Sequence, residues 1–105
     1  MTAEPTIETR RARAKFRAWH RGTREADYMI GGFFDRYASE WSESELAWFE
    51  ALLDEDDVDV MAWALKTAPV PPAFEGEQIA LMQRLDYVTI GPAAADRSAG
   101  GDARQ

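Results

Sequence analysis

With 105 residues, the chain is long enough for one compact domain with its own core and too short for two. It contains no cysteine, which excludes disulfides, thiolate nucleophiles and cysteine-ligated metals. Its net charge is −7, no apolar run approaches the ~18 residues that cross a bilayer, and the N-terminus lacks the apolar core of a secretory signal, so we expect a cytoplasmic protein.

The first 25 residues are basic, although the whole chain is acidic. They carry seven Lys or Arg against three Glu, a balance of +4, and the other residues sum to −11. This segment is interpreted either as a nucleic-acid-binding arm or as a solvated helix face that attracts the domain's own acids. Because the acidic remainder repels phosphate across the ~8 Å Debye length, we favour the second interpretation.

A first helix is predicted from Ile7 to Arg21, after a disordered tail over residues 1–6. Its apolar stripe is predicted to consist of Ala12, Phe16 and Trp19, which are spaced four and three residues apart. Basic side chains occupy the other faces of this helix.

The stretch from Arg21 to Glu25 is expected to form the corner between the first and second helices. Gly22 can take the left-handed conformation that closes the first helix, and Thr23 suits the N-cap of the second. Glu25 falls in the first turn of the second helix and Arg21 in the last turn of the first, where the helix dipole favours each charge. The corner is therefore predicted to present a guanidinium and a carboxylate on either side of a glycine.

The second helix has the clearest apolar face. The residues of this face recur at helical spacing and are predicted to form the centre of the core: Ala26, Met29, Ile30, Phe33, Phe34 and Tyr37. Gly31 and Gly32 interrupt the helix at a cost of about 1 kcal/mol each relative to alanine. This cost predicts either the close approach of another helix or a kink.

A capping box from Ser42 to Glu45 begins the third helix. The apolar face of that helix is Leu46, Phe49, Leu52 and Leu53. Asp57 is predicted to be the N-cap of a short fourth helix that ends near Lys66. The acidic run around it, residues 54–59, lacks the central glycine and the twelfth-position glutamate of a calcium-binding EF-hand loop.

Three prolines between Thr67 and Pro72 predict a stiff, non-helical connector. A fifth helix is predicted from about Phe74 to Val88, and residues 91–105, which have no aromatic side chain and no periodicity, are predicted to be a disordered tail. The sequence therefore predicts an all-α, single-domain five-helix bundle over residues 7–90.

The residue types give little support to catalytic chemistry. His20 is the only histidine, which removes any site with two histidine ligands and leaves no partner for an acid–base relay. No serine lies in a nucleophile elbow, and no glycine-rich phosphate loop follows a strand. We predict an interaction module that is not an enzyme and holds no metal, with His20 as a surface or capping residue.

The corner, followed by Phe33-Phe34, resembles the Arg-Gly-x-x-Glu signature of the SdhE-type FAD assembly factors, which are the bacterial relatives of mitochondrial succinate dehydrogenase assembly factor two. Further along the chain, Leu52-Leu53, Asp56-Asp57-Val58-Asp59 and Trp63 reproduce the Leu-Leu, Asp-Asp-x-Asp and Trp pattern of that family in the same order. The resemblance spans about residues 11–89.

This resemblance implies a five-helix domain that binds the flavoprotein subunit of succinate dehydrogenase, or of fumarate reductase, and promotes covalent attachment of FAD to a histidine of that subunit. FAD is then the cofactor attached to the partner, and none is expected to be held stably by this chain. We expect a monomer when free, without nucleic-acid or membrane contacts. The predicted partner-binding residues are Arg21, Gly22, Glu25, Arg24, His20 and Asp57.

Two other functions stay open on the sequence alone. An acidic body of this size is compatible with an antitoxin-type inhibitor that neutralises a basic toxin. The basic first helix is compatible with an adaptor. Recovery of the partner from a cell extract distinguishes the three functions, because they predict a respiratory flavoprotein, a small basic protein or nucleic acid.

Overall fold

Five α-helices account for most of residues 5–87, the part of the chain that this computed structural model describes. They are α1 (Ile7–Trp19), α2 (Arg24–Tyr37), α3 (Glu43–Leu53), α4 (Asp57–Ala64) and α5 (Glu77–Gln83). Short 3-10 turns lie at Ala38–Glu40 and Pro72–Phe74, and no strand occurs between residues 5 and 87. The all-α, five-helix prediction is therefore confirmed. The predicted tails lie outside the described residues, except for Pro5 and Thr6, and Thr6 is the N-cap of α1.

Helix α2 lies at the centre of the core, as its apolar face predicts. Five of the six predicted positions are buried, and the sixth, Tyr37, is half-buried. Phe33 is fully buried, and its ring lies within 6.4 Å, centroid to centroid, of five other aromatic rings: Tyr37, Trp41, Trp48, Phe49 and Tyr87. Tilted and edge-to-face pairs of this kind each add about 0.5–1.5 kcal/mol beyond the burial of area.

Helix α1 presents a different face to the core from the one predicted. Ala14 and Ala18 are buried, whereas Ala12 is exposed and Phe16 is 64% exposed. The prediction of a stripe through Ala12 and Phe16 is therefore wrong; of its three members, only Trp19 is even half-buried. The physical reason is that two alanines allow the α1 backbone to approach the core closely, which a phenylalanine at the same place would prevent.

The basic side chains of α1 pair with the domain's own acids, as the favoured interpretation of the charge predicts. Arg10 contacts Glu50 at 2.7 Å and Glu43 at 2.9 Å, both on α3. Lys15 reaches Asp35 at 2.8 Å, and Arg17 reaches Asp54 at 2.7 Å. The pairs of Lys15 and Arg17 are exposed, and because solvent screens such pairs they contribute little to stability.

The two glycines of α2 are each covered by an aromatic residue. A Cβ added at Gly31 would overlap the indole of Trp19, the last residue of α1, and this confirms the predicted close approach of another helix. At Gly32 the added Cβ would lie 3.0 Å from the carbonyl oxygen of Tyr87, which belongs to no helix. The conformational cost of Gly31 is thus offset by contact with α1.

The predicted start of α3 is confirmed, whereas the predicted start of α5 is wrong. The capping box is present: the Ser42 amide donates to Glu45 Oε1 at 2.7 Å, and the Glu45 amide donates to Ser42 Oγ at 3.3 Å. Helix α5 is shorter than predicted, because Gly76 (φ +144°) separates the 3-10 turn at Pro72–Phe74 from Glu77. None of the helices within residues 5–87 is long and apolar enough to cross a membrane.

Candidate functional site at the corner between the first two helices

The corner joins α1 to α2 through a glycine with positive φ. Gly22 has φ +112°, a conformation that L side chains rarely adopt, as the sequence predicts. The hydroxyl of Thr23 caps α2 by accepting from the Ala26 amide at 3.2 Å, and Glu25 lies in the first turn; both predictions are confirmed. A Cβ built on Gly22 would meet no described atom within 4 Å beyond its chain neighbours, so the corner is open to approach.

Arg21 lies outside α1 and turns toward the body of the domain. The prediction that it belongs to the last turn of α1 is wrong, because the helix ends at Trp19 with His20 as its C-cap. Arg21 Nε donates to Asp57 Oδ1 at 2.7 Å, and its Nη2 donates to the carbonyl oxygen of Glu55 at 3.1 Å. Its side chain is only 11% exposed. Arg21 therefore ties the corner to the start of α4.

Two acidic residues accept hydrogen bonds from Arg21, one from its backbone and one from its side chain. Asp27, in the first turn of α2, accepts the Arg21 amide at 2.6 Å, which fixes the backbone of the corner. Asp57 was predicted to be the N-cap of α4, but the N-cap is Asp56, and Asp57 is the first residue of the helix. The Asp57 side chain is 25% exposed, and its carboxylate pairs with the Arg21 guanidinium instead. The corner is thus rigid through hydrogen bonds that sequence spacing does not reveal.

His20 is exposed and held in one orientation. Its Nδ1 lies 2.6 Å from the carbonyl oxygen of Phe16. Since a carbonyl oxygen can only accept, Nδ1 carries the hydrogen and donates. The imidazole also stacks on the Phe16 ring, with centroids 4.0 Å apart and planes 19° apart. This confirms His20 as a surface and capping residue.

Arg24 and Glu25 are exposed in the first turn of α2. Neither side chain forms a hydrogen bond or an ion pair with another residue in the described part of the chain. The structure therefore brings all six predicted residues together, but in two groups. Arg21 and Asp57 face inward, whereas the other four present polar atoms or open backbone to solvent: His20, Gly22, Arg24 and Glu25.

An open concavity of about 600 Å³ lies beside the corner. Trp19 and Tyr28 form its aromatic wall, with ring centroids 6.2 Å apart in an edge-to-face arrangement. The other lining residues are His20, Gly22, Thr23, Arg24 and Asp27. Sequence reasoning missed Asp27 and Tyr28; an acid in the first turn of α2 is the available signal for Asp27, whereas Tyr28 lies off the apolar face and has none.

Two acids of the run at residues 54–59 pair with basic side chains. Asp54 pairs with Arg17, and Asp57 pairs with Arg21. Within residues 5–87, no group of three or more His, Cys, Asp or Glu side chains is placed to hold a metal ion. The run supplies partners for Arg17 of α1 and for Arg21 of the corner.

A protein-family model and several named proteins match this chain. A family model described as "Flavinator of succinate dehydrogenase" matches residues 12–87. The chain is 41% identical over 69 residues to "FAD assembly factor SdhE" of Acetobacter pasteurianus, covering 66% of this chain and 63% of that protein.

Two fungal proteins named "Succinate dehydrogenase assembly factor 2, mitochondrial" are also similar. The protein of Scheffersomyces stipitis is 34% identical over 84 residues, covering 77% of this chain and 56% of the relative. The protein of Debaryomyces hansenii is 39% identical over 67 residues, covering 64% and 47%. The chain thus spans less than two thirds of the length of each of these relatives.

Proposed function

The chain belongs to the family of flavinators of succinate dehydrogenase, and we propose that it binds the flavoprotein subunit of succinate dehydrogenase, or of fumarate reductase, and promotes covalent attachment of FAD to a histidine of that subunit. The similar proteins are named as assembly factors, and one of them as an FAD assembly factor, which supports a role in assembly rather than in turnover. In this proposal the partner holds the flavin, and this chain contributes shape and charge.

The observation that carries the proposal is the open, rigid corner. Gly22 exposes backbone that no described side chain covers, and Arg24 and Glu25 beside it lack partners within the described domain. An exposed cation and an exposed anion next to accessible backbone can form directional hydrogen bonds with a partner. Because the backbone is already fixed by Arg21, binding costs little further ordering of the chain.

The six predicted residues divide into two roles in this proposal. Gly22, Arg24, Glu25 and His20 contact the partner, since their polar atoms or backbone are exposed. Arg21 and Asp57 act as positioning residues, because their charged groups satisfy one another inside the domain. This differs from the prediction made from the sequence, in which Arg21 and Asp57 themselves bind the partner.

The chain is proposed to act by orientation. Covalent attachment needs the flavin and the histidine of the partner in near-attack geometry, and orientation of reacting groups is worth up to about 7–11 kcal/mol. A rigid corner that holds the flavoprotein in one arrangement supplies part of this effect without a reacting group of its own. The three hydrogen bonds of Arg21 keep that corner in place.

The direct test is in-gel flavin fluorescence of the flavoprotein subunit produced with and without this chain. Covalently attached flavin survives denaturation, so its fluorescence reports attachment alone. We expect fluorescence with the wild-type chain and a loss of at least about tenfold with the double variant Arg24→Ala, Glu25→Ala. A matched control is Lys66→Ala with Glu75→Ala, which also removes one exposed cation and one exposed anion. Equal fluorescence with the corner variant and the wild type would contradict the proposal.

A further inference from the structure

The outward face of α1 carries an exposed aromatic pair. Phe16 lies on the side of the helix opposite the buried Ala14 and Ala18, and it is 64% exposed. Among the described residues, the other exposed large hydrophobic side chains are Val58 (78%) and Leu65 (47%), and neither is aromatic. Phe16 is also held in place by the stacked ring of His20 at 4.0 Å. An ordered, exposed aromatic side chain is a typical anchor of a protein–protein interface.

Two cations near this pair have no acidic partner. Four of the seven basic residues of α1 and the corner pair with carboxylates: Arg10, Lys15, Arg17 and Arg21. Arg11 donates to the carbonyl oxygen of Trp41. Arg13 and Arg24 make no side-chain hydrogen bond or ion pair with any residue between 5 and 87. The domain's own acids thus neutralise the basic residues of α1 and the corner only in part.

These residues form one surface. Arg13, Phe16 and His20 are spaced by three and four residues, which places them on the same side of α1. His20 and Arg24 both line the concavity at the corner, so the surface continues into it. We call Arg13, Phe16, His20 and Arg24 the outer α1 face.

We propose that the outer α1 face binds an acidic stretch of the flavoprotein subunit, with an apolar side chain of that stretch covering Phe16 and its carboxylates meeting Arg13 and Arg24. The identity of the partner rests on the proposed function. Charge complementarity selects an acidic protein segment, because the unpaired charges on this face are positive and an apolar side chain lies between them. Nucleic acid is disfavoured, since two unpaired cations give little counterion release and the remainder of the chain, at −11, repels phosphate.

The test compares binding of full-length variants to the purified flavoprotein subunit by titration calorimetry. We expect Phe16→Ser to weaken binding by about tenfold or more, with an unchanged midpoint of thermal unfolding. The matched control is Leu65→Ser, which removes a 47% exposed apolar side chain at the end of α4 and is expected to bind like the wild type.

A charge reversal tests the electrostatic part. Arg13→Glu is expected to weaken binding by about tenfold at about 50 mM salt and by less at about 500 mM, because salt screens exposed charges. Lys66→Glu, which reverses another exposed cation, is the control and is expected to change binding little.

The variant Gly22→Arg separates this inference from the proposed function. If Gly22→Arg abolishes binding while Phe16→Ser and Arg13→Glu bind like the wild type, the proposed function stands and the outer α1 face has no part in it. If the wild-type chain does not bind the subunit, both proposals fail. Binding of a single-stranded oligonucleotide, measured by fluorescence anisotropy and lost in Arg13→Glu, would also overturn the inference, because it would assign this face to nucleic acid.

Discussion

Arg21 Nε lies 2.7 Å from Asp57 Oδ1, and this bond joins two segments that are 36 residues apart in the chain. The bond places the Arg21 guanidinium inside the domain, where the Asp57 carboxylate balances its charge. The residues that remain available to a partner are the neighbours of Arg21. The structure therefore separates the groups that shape the corner from the groups that it exposes.

Removal of the guanidinium should destabilise the domain. Arg21→Ala leaves the Asp57 carboxylate and the Glu55 carbonyl oxygen without their donor, and we expect the free energy of unfolding to fall by about 2 kcal/mol. Arg21→Lys should lose less, because it keeps the charge but not the two separate donor nitrogens of the planar guanidinium. Urea unfolding followed by circular dichroism measures both. The control is Arg24→Ala, which should change stability by less than about 0.5 kcal/mol. Wild-type stability in Arg21→Ala would show that this ion pair does not hold the corner.

Gly22 and Gly76 provide a matched pair. Both have positive φ, +112° and +144°, and a Cβ at either position would lie in open space. We expect Gly22→Arg and Gly76→Arg each to lose about 1–2 kcal/mol of stability through backbone strain and to remain folded. Only Gly22→Arg should lose binding to the flavoprotein subunit, measured on the folded variants by calorimetry. Equal loss of binding in Gly76→Arg would attribute the effect to strain rather than to the corner.

Lys66 and Leu85 follow the ends of α4 and α5 with left-handed backbones, φ +64° and +58°. Lys66 is exposed, so Lys66→Gly relieves strain without loss of packing and should raise the free energy of unfolding by about 0.5–1 kcal/mol. Leu85 packs against the core, so Leu85→Gly should lower the free energy of unfolding, although it relieves the same backbone strain. Chemical denaturation of the two variants checks the opposite signs, and destabilisation by Lys66→Gly would contradict the strain argument.

Stability should fall at high pH because of Tyr87. Burial raises the pKa of its phenol, the charge of Asp86 and the neighbouring Tyr37 raise it further, and the hydroxyl donates to the Met82 carbonyl oxygen at 2.6 Å. The folded state therefore keeps the proton that the unfolded chain releases above pH ~10. The contribution of the Tyr87 phenol to the free energy of unfolding is complete below that pH and is lost as the pH rises. Urea unfolding should give a lower free energy of unfolding at pH ~11 than at pH ~9, and this difference should be smaller in Tyr87→Phe. Equal differences in the two proteins would exclude this role for Tyr87.

The parts of the fold that depend on neighbouring residues could be predicted from the sequence. The apolar face of α2 recurs at helical spacing, and the capping box uses residues three apart, so both are visible locally. The positive φ of Gly22 and the cap at Thr23 follow for the same reason. The open corner, which carries the proposed function, is thus largely a local property.

The remaining features depend on contacts between distant segments. Phe16 has the spacing of a core residue, but α1 packs through Ala14 and Ala18, and only the shape of the opposing surface decides between the two faces. The partner of Arg21 lies in α4, and no periodicity connects them. The sequence predicts Asp57 as the N-cap of α4, but its carboxylate accepts a hydrogen bond from Arg21 at the corner between α1 and α2.

The contact between Trp19 and Gly31 links the interior of the domain to its surface. The indole lies over Gly31 on α2 and also forms a wall of the concavity beside the corner. A larger residue at Gly31 must displace that indole and reshape the concavity. A search for variants defective in flavoprotein binding should therefore recover a buried glycine together with exposed residues. Such a variant would look like an interface mutation even though the glycine itself never touches the partner.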